Sequence, residues 1–405
     1  MVPFKILSSF IALLSGASIG PEAILATIGS ALGCITAISF RFSSLEQKSM
    51  ILSGIAAALG AIFPSPYLGI LCAVELSIVS GGQVFNLNNL YNLGSDLMTS
   101  GQQNGSTSSS LETSTRQNYH TIMEQISLMV ITSTVSVLTL SLFHKPRSSI
   151  VSSIDSEHLS KEEEESQIFI QTAQAVVLGC LCGLLGCLYL ILQGTLKAIS
   201  QDFFRKLLHP FDVKRYWLAT LISPLVTGVT YGLIAFSYPL TLGSGYEYIR
   251  LLFTLWKKNE NAKVIFNDDE ILAADLLFVS ALLKLLSSAA CLGLGMFGGQ
   301  IIPLMVAGVY LGFSLAFCFP FLSVTLAIAC CSISIAGSFV PIPFTMVATV
   351  ASIWGVAGAT TVPVILSLVC AYAANAGLGT VLEMARRKTL ISIRVDTEEQ
   401  SAEIL

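Results

Sequence analysis

The chain has 405 residues, 53% of them hydrophobic and 11% charged, with a formal net charge of −4, whereas a soluble domain carries roughly 25% charged residues. No soluble fold of this size hides so much apolar surface. The composition therefore excludes a soluble enzyme and a nucleic-acid-binding protein, and it calls for an all-α protein that crosses the lipid bilayer many times.

Apolar stretches near 4–20, 21–40, 49–62 and 66–80 predict the first membrane helices. Met1 to Ser18, with Lys5 ahead of a short apolar run, has the outline of a leader peptide. The residues after it continue as membrane sequence, so it is read as the first membrane element. Residues 97–118 are rich in Ser, Thr, Gln and Asn, and 145–166 carry Lys145, Arg147 and the acidic run Glu162 to Glu165. Both are expected to be solvated loops around one helix at 122–143. Asn104-Gly105-Ser106 in the first loop has the form of a glycosylation acceptor.

Further apolar stretches near 169–198, 215–237 and 271–294 lead into a run without Asp, Glu, Lys or Arg between Lys284 and Glu383. As one helix that run would be about 150 Å long. It has to fold back, and Pro303, Pro320, Pro341, Pro343 and Pro363 divide it, so short, broken helices are predicted. Arg386, Arg387 and Lys388 follow the last apolar stretch and place the C-terminal side in the cytoplasmic sense. The expected organisation is a first membrane unit over 1–95, polar loops around one helix over 96–168, a second membrane unit over 169–384 and a polar tail over 385–405.

Ten cysteines lie almost wholly within apolar segments, away from His or Asp at metal-ligand spacing. They read as small hydrophobes. Neither a metal nor a cofactor is expected. The chain has no His-Glu-x-x-His, and no catalytic residue is assigned.

A repeat emerges from the glycines. Gly20, Gly29 and Gly33 are spaced by nine and four, as are Gly299, Gly308 and Gly312. Downstream, Gly60, Pro64, Pro66 and Tyr67 match Gly337, Pro341, Pro343 and Phe344. The offsets, 279 and 277, are nearly constant. Two patterns in register predict a duplicated unit, and duplicated transporter units are often inverted, with the ion site where helix starts from both halves converge.

Glu22 is the only charged residue between Lys5 and Arg41, and it stands at a predicted helix start, Gly20-Pro21-Glu22-Ala23. Proline suits a first helical turn, and the free amides there favour an anion, a place that Glu22 can fill itself. The plainer alternative is an acid that stabilises its own helix by about 0.3–1 kcal/mol. In the second half the equivalent start is Gly298-Gly299-Gln300-Ile301-Ile302-Pro303. Its paired glycines let backbone approach a ligand, leaving the amides of Ile301 and Ile302 to coordinate an ion.

These elements resemble the CLC family of chloride channels and proton-coupled chloride transporters. Ser18-Ile19-Gly20-Pro21-Glu22-Ala23 is similar to the family's G(R/P)E(G/A)P element, Gly298 to Pro303 to its GGxFxP element, and Pro66 to Glu75 to its PLxGxxFxxE helix. The resemblance implies an inverted-repeat fold of short, tilted helices, a homodimer, and chloride or a similar small anion as the transported ion. It implies that Glu22 is the gate and that Gly20, Ala23, Gly298, Gly299, Ile301 and Ile302 line the anion site.

Departures from the family pattern bear on mechanism. Ile24 replaces the motif proline, and Ile301 or Ile302 the motif phenylalanine. Leu76 stands where proton-exchanging members carry a second glutamate, which implies no inner proton relay and hence a passive, glutamate-gated channel; a chloride/proton antiporter is the alternative. Glu75 is expected to be structural. Pseudo-symmetry implies that about 100 residues are missing before Gly20, among them the family's GSGIP element, since some 125 residues of the second unit precede its own motif. The anion-contacting tyrosine has no match, Tyr372 being misplaced, and no CBS pair follows the membrane units. A truncated or non-conducting paralogue is therefore a reading of a different class. The membrane is unspecified, a plastid or other intracellular one being admissible.

Overall fold

Two close-packed helix pairs explain the repeated glycine spacing. In the computed structural model, α1 spans Val2–Leu14, α2 Glu22–Ser39 and α3 Ser44–Ile62. Chain reversal between α2 and α3 is fixed by a capping box, in which the Ser43 amide donates to Glu46 Oε2 at 2.7 Å. The two helices touch backbone to backbone: a Cβ on Gly29 would lie 2.2 Å from the Gly54 carbonyl, and one on Gly33 2.3 Å from that of Met50. Only glycine permits that approach.

The described residues are 2–63, 65–79, 125–140, 161–208, 227–229, 231–258, 265–267, 270–272, 274–340, 342–354, 356 and 360–378. After α3 come α4 (Pro66–Val79), α5 (Gln125–Leu140) and the 48-residue α6 (Lys161–Leu208). Residues 227–229 and 231–237 are helical, and a 3-10 turn, Pro239–Thr241, precedes α7 (Tyr246–Lys258). Then follow α8 (Ala274–Gly293), α9 (Ile301–Cys318), α10 (Val324–Phe339), α11 (Pro343–Trp354) and α12 (Thr361–Leu378).

The second half repeats the glycine contact in α9 and α10. A Cβ on Gly308 would meet Ser332 Cα at 2.5 Å, and one on Gly312 Ile328 Cα at 2.6 Å. The prolines act as predicted: Pro303 lies in the first turn of α9, Pro320 just beyond its end, Pro343 at the start of α11 and Pro363 in the first turn of α12. At ~1.5 Å per residue the 12-residue α11 reaches only part of the way across a bilayer.

The all-α class holds, with one addition and one correction of bounds. Two short antiparallel strands, β1 (Ile265–Asn267) and β2 (Glu270–Leu272), pair with Phe266 opposite Ile271. The acidic run Glu162 to Glu165, expected in a loop, is helical, because α6 begins at Lys161 and extends its apolar part, Ile168–Ser200, by two turns. The 97–118 loop, Asn104, Pro341 and the 385–405 tail lie outside the described residues.

Among the described residues, five helices are long and apolar enough to cross a membrane. Their burial differs with position: 72% of α9 is inside the protein against 28% of α2. The outer face of α2, with Leu32, Ile35 and Ile38, is exposed, as a lipid-facing surface is. Thus α9 is the most buried of these helices.

Candidate functional site

The starts of α2 and α9 meet at the centre. Between α1 and α2 the chain turns at Gly16, whose φ of +79° suits glycine, and runs on to Gly20. There the Gly20 amide donates to the Gly299 carbonyl at 2.8 Å, and the Gly299 amide donates back to Gly20 at 2.7 Å. Each glycine thus pairs with its own counterpart in the repeat, 279 residues away. A reciprocal, antiparallel pair between repeat equivalents is what a local two-fold axis through that point produces.

Glu22 is the first residue of α2 and is 3% exposed. Its Oε1 accepts the Ile302 amide at 2.7 Å. That amide belongs to the first turn of α9, where no intrahelical acceptor exists; the Leu304 amide, two residues on, already bonds the Gln300 carbonyl at 3.1 Å. Glu22 Oε2 is buried and has no hydrogen-bond partner among the described residues. Two glycines make room for the carboxylate: a Cβ on Gly20 would lie 1.9 Å from Oε2, and one on Gly299 1.8 Å.

Of the seven residues singled out in the sequence, Gly20, Glu22, Gly299 and Ile302 are in direct contact. Gly298 is the wall beside them, where a Cβ would meet Ile19 Cβ at 2.6 Å. Ile301 is the first residue of α9, adjacent to Ile302. Ala23 is the second residue of α2, and its carbonyl accepts Thr27 Oγ1 at 2.6 Å.

Glu75 does something different. Its Oε1 accepts the Phe344 amide at 2.9 Å, and its Oε2 accepts the Thr345 amide at 2.8 Å together with the Thr345 hydroxyl. Both oxygens are committed to the start of α11, a capping role across the two halves. Tyr372 donates to the Val340 carbonyl at 3.2 Å, which gives its hydroxyl a place outside the Glu22 contacts.

Two buried polar groups escaped the sequence reading. Tyr189, in α6, donates to Gln300 Oε1 at 2.9 Å. Lys284, fully buried in α8, donates to the carbonyls of Thr241, at 2.6 Å, and Gly243. The Tyr231 hydroxyl also donates to Thr241, and Tyr310 donates to Leu240 at 3.0 Å. This turn is tied in its turn to the α1–α2 connection, the Gly243 amide donating to Gly16 at 2.8 Å. Lys284 was visible as the edge of the uncharged run, but nothing in its neighbours marked it as interior.

Chemically, the site offers backbone amides, helix N-termini and water exclusion, with a carboxylate standing where those features would hold an anion. The sequence profile described as voltage gated chloride channel matches residues 1–93 and 107–376. Among solved structures, the chain is similar to a CLC-type fluoride/proton antiporter, with TM-score 0.60 and 20% identity over 91% of this chain and 73% of that one. It is also similar to a slow cyanobacterial Cl−/H+ antiporter, with TM-score 0.58 and 17% identity over 94% of this chain and 75% of that one. At such identities the likeness concerns the fold. No curated protein matches the sequence.

Proposed function

The chain belongs to the voltage-gated chloride channel (CLC) family, an anion-transporting family of the membrane, and on that premise we propose that it is a passive, glutamate-gated passage for chloride or a similar small anion, with Glu22 as the gate. One observation carries the reading: the Glu22 carboxylate takes the Ile302 amide at 2.7 Å inside a cradle that only glycines can form. Carboxylate and anion are both negative and need the same donors, so one excludes the other. When Glu22 swings out or is protonated, the helix-start amides of Ile301 and Ile302, with those of Glu22 and Ala23, are left for the ion.

Passive conduction is supported by Leu76, a side chain that neither binds nor passes a proton, next to a Glu75 whose oxygens are both taken. The alternative, exchange of anion against proton, is the activity named for both solved neighbours. Family resemblance also supports a homodimer.

The test is flux from purified full chain in liposomes, with chloride and proton movement followed together. Chloride flux that loses its pH dependence in Glu22→Gln supports the gate. A fixed chloride-to-proton ratio in the unaltered protein would replace the passive reading by the antiporter. No chloride flux in any variant would favour a non-conducting paralogue.

A further inference from the structure

Beside the gate lies a second polar element, supplied entirely by the second half. Gln300 immediately precedes α9 as its N-cap residue, with φ −115° and ψ −21°, and its side chain makes no capping bond. A glutamine there would ordinarily be free to turn toward solvent or its own helix. Here Oε1 accepts the Tyr189 hydroxyl at 2.9 Å.

Tyr189 is itself held on three sides. It is 3% exposed, its ring meets Phe339 edge-on with centroids 6.3 Å apart, and its hydroxyl is 3.5 Å from the buried Ser288 Oγ. A phenol has one proton to give. Since Tyr189 gives it to Gln300, Ser288 can only donate to Tyr189, and the order of donation runs Ser288 to Tyr189 to Gln300.

That order fixes what the carboxamide has left. With Oε1 engaged, the remaining capacity is the two N–H donors of Nε2, which have no acceptor among the described residues. Nε2 is not one of the side-chain atoms buried without a partner, so its two donors face accessible space where an anion can reach them. At the same helix start, Glu22 Oε2 is buried without a partner, an independent sign that this place holds negative charge without saturating it.

We propose that Gln300 is a side-chain contact for the permeating anion and that Tyr189 is the residue that positions it. The pair adds an oriented amide donor to a site otherwise built from backbone N–H groups. Such a donor favours compact anions, on which charge is concentrated, over diffuse ones: chloride over nitrate. This rests on reading the α9 start as the anion site, and it adds to that reading a specificity element of this chain.

The experiment is calorimetric titration of the purified full chain, in chloride-free buffer, with sodium chloride and with sodium nitrate. The proteins are the unaltered chain, Tyr189→Phe, Gln300→Leu, the double variant and Glu22→Gln. Loss of a hydrogen bond to a charged partner predicts chloride binding weakened ~10-fold in Tyr189→Phe and in Gln300→Leu. Nitrate should change less, so the chloride/nitrate preference falls. The double variant should be no weaker than Gln300→Leu alone, because Tyr189 acts through Gln300. Effects that multiply in the double variant, or an unchanged chloride/nitrate preference, would overturn the proposal. Should Gln300→Leu not fold, Tyr189→Phe decides alone, since it keeps the ring and its Phe339 contact. Glu22→Gln reports separately on the gate: unchanged chloride affinity there counts against gating and leaves the Gln300 result standing.

Discussion

Gly20 and Gly299 donate to and accept from one another, at 2.8 and 2.7 Å, and each heads one copy of the same glycine spacing. The contact joins the two halves at the point where Glu22 lies between them. It makes the absence of two side chains as important to the site as the presence of one.

A methyl group at Gly299 has nowhere to go but the position of Glu22 Oε2, 1.8 Å away. Gly299→Ala should therefore expel the carboxylate from the Ile302 amide. Losing that charge-assisted bond, ~1.5–3 kcal/mol, shifts the gate toward open by roughly 10- to 100-fold. The expected outcome is raised chloride flux at neutral pH with a flattened pH profile. Flux and pH profile identical to the unaltered protein would show that the carboxylate does not obstruct the anion.

Glu22→Gln tests the charge without altering the shape. In the unaltered protein, acid pH neutralises the carboxylate and removes a competitor for the amides, so flux should rise as pH falls. Glutamine carries no charge at any pH, so the variant should be as active at neutral pH as the unaltered protein at acid pH. Initial rates of chloride efflux from liposomes across the pH range measure this, and a variant that still steepens toward acid would count against the gate.

Leu76 makes a prediction about stoichiometry. Protons crossing with chloride need a relay of titratable groups, and here an apolar residue follows a Glu75 already bonded to α11. A chloride gradient imposed across liposomes should drive no uphill proton movement. Alkalinisation or acidification in fixed proportion to chloride would establish coupling.

Much of this was legible because its causes are local or periodic. Pro303, Pro343 and Pro363 fell at helix starts because proline lacks the amide that a helix interior needs. Gly29, Gly33, Gly308 and Gly312 announced the repeat because tight helix contacts demand glycine at fixed spacing. Glu22 stood out because a lone carboxylate in apolar sequence is costly. Tyr189 and Gln300, by contrast, meet across 111 residues with no pattern at either end. The acidic start of α6 read as a loop because charge runs are usually solvated, yet the backbone is helical from Lys161 onward, and a 48-residue helix is longer than the ~20 residues a bilayer needs. The short hairpin at 265–272 was hidden because three-residue strands leave almost no period to detect.

Glu75 and Glu22 are both carboxylates of the first half that accept amides at helix starts of the second, and their loads predict opposite consequences of removal. Glu22 takes one inter-half bond and keeps an oxygen free; Glu75 takes two amides and a hydroxyl, with neither oxygen free. A group that must move cannot be tied three times, and a group tied three times contributes to stability. Glu75 is 8% exposed, so water does not replace it readily. Glu75→Ala leaves the Phe344 and Thr345 amides without their acceptor, at about 1–3 kcal/mol for each group stranded. The thermal midpoint in detergent should fall by several degrees, whereas Glu22→Gln should leave it nearly unchanged. Glu75→Gln keeps an acceptor oxygen and should recover part of the loss. The pH profile of chloride flux in whatever Glu75→Gln protein folds should match the unaltered chain, because this carboxylate holds α11 and takes no part in the competition at α9. A Glu75→Gln variant of normal stability with an altered pH profile would move Glu75 from the scaffold to the transport path.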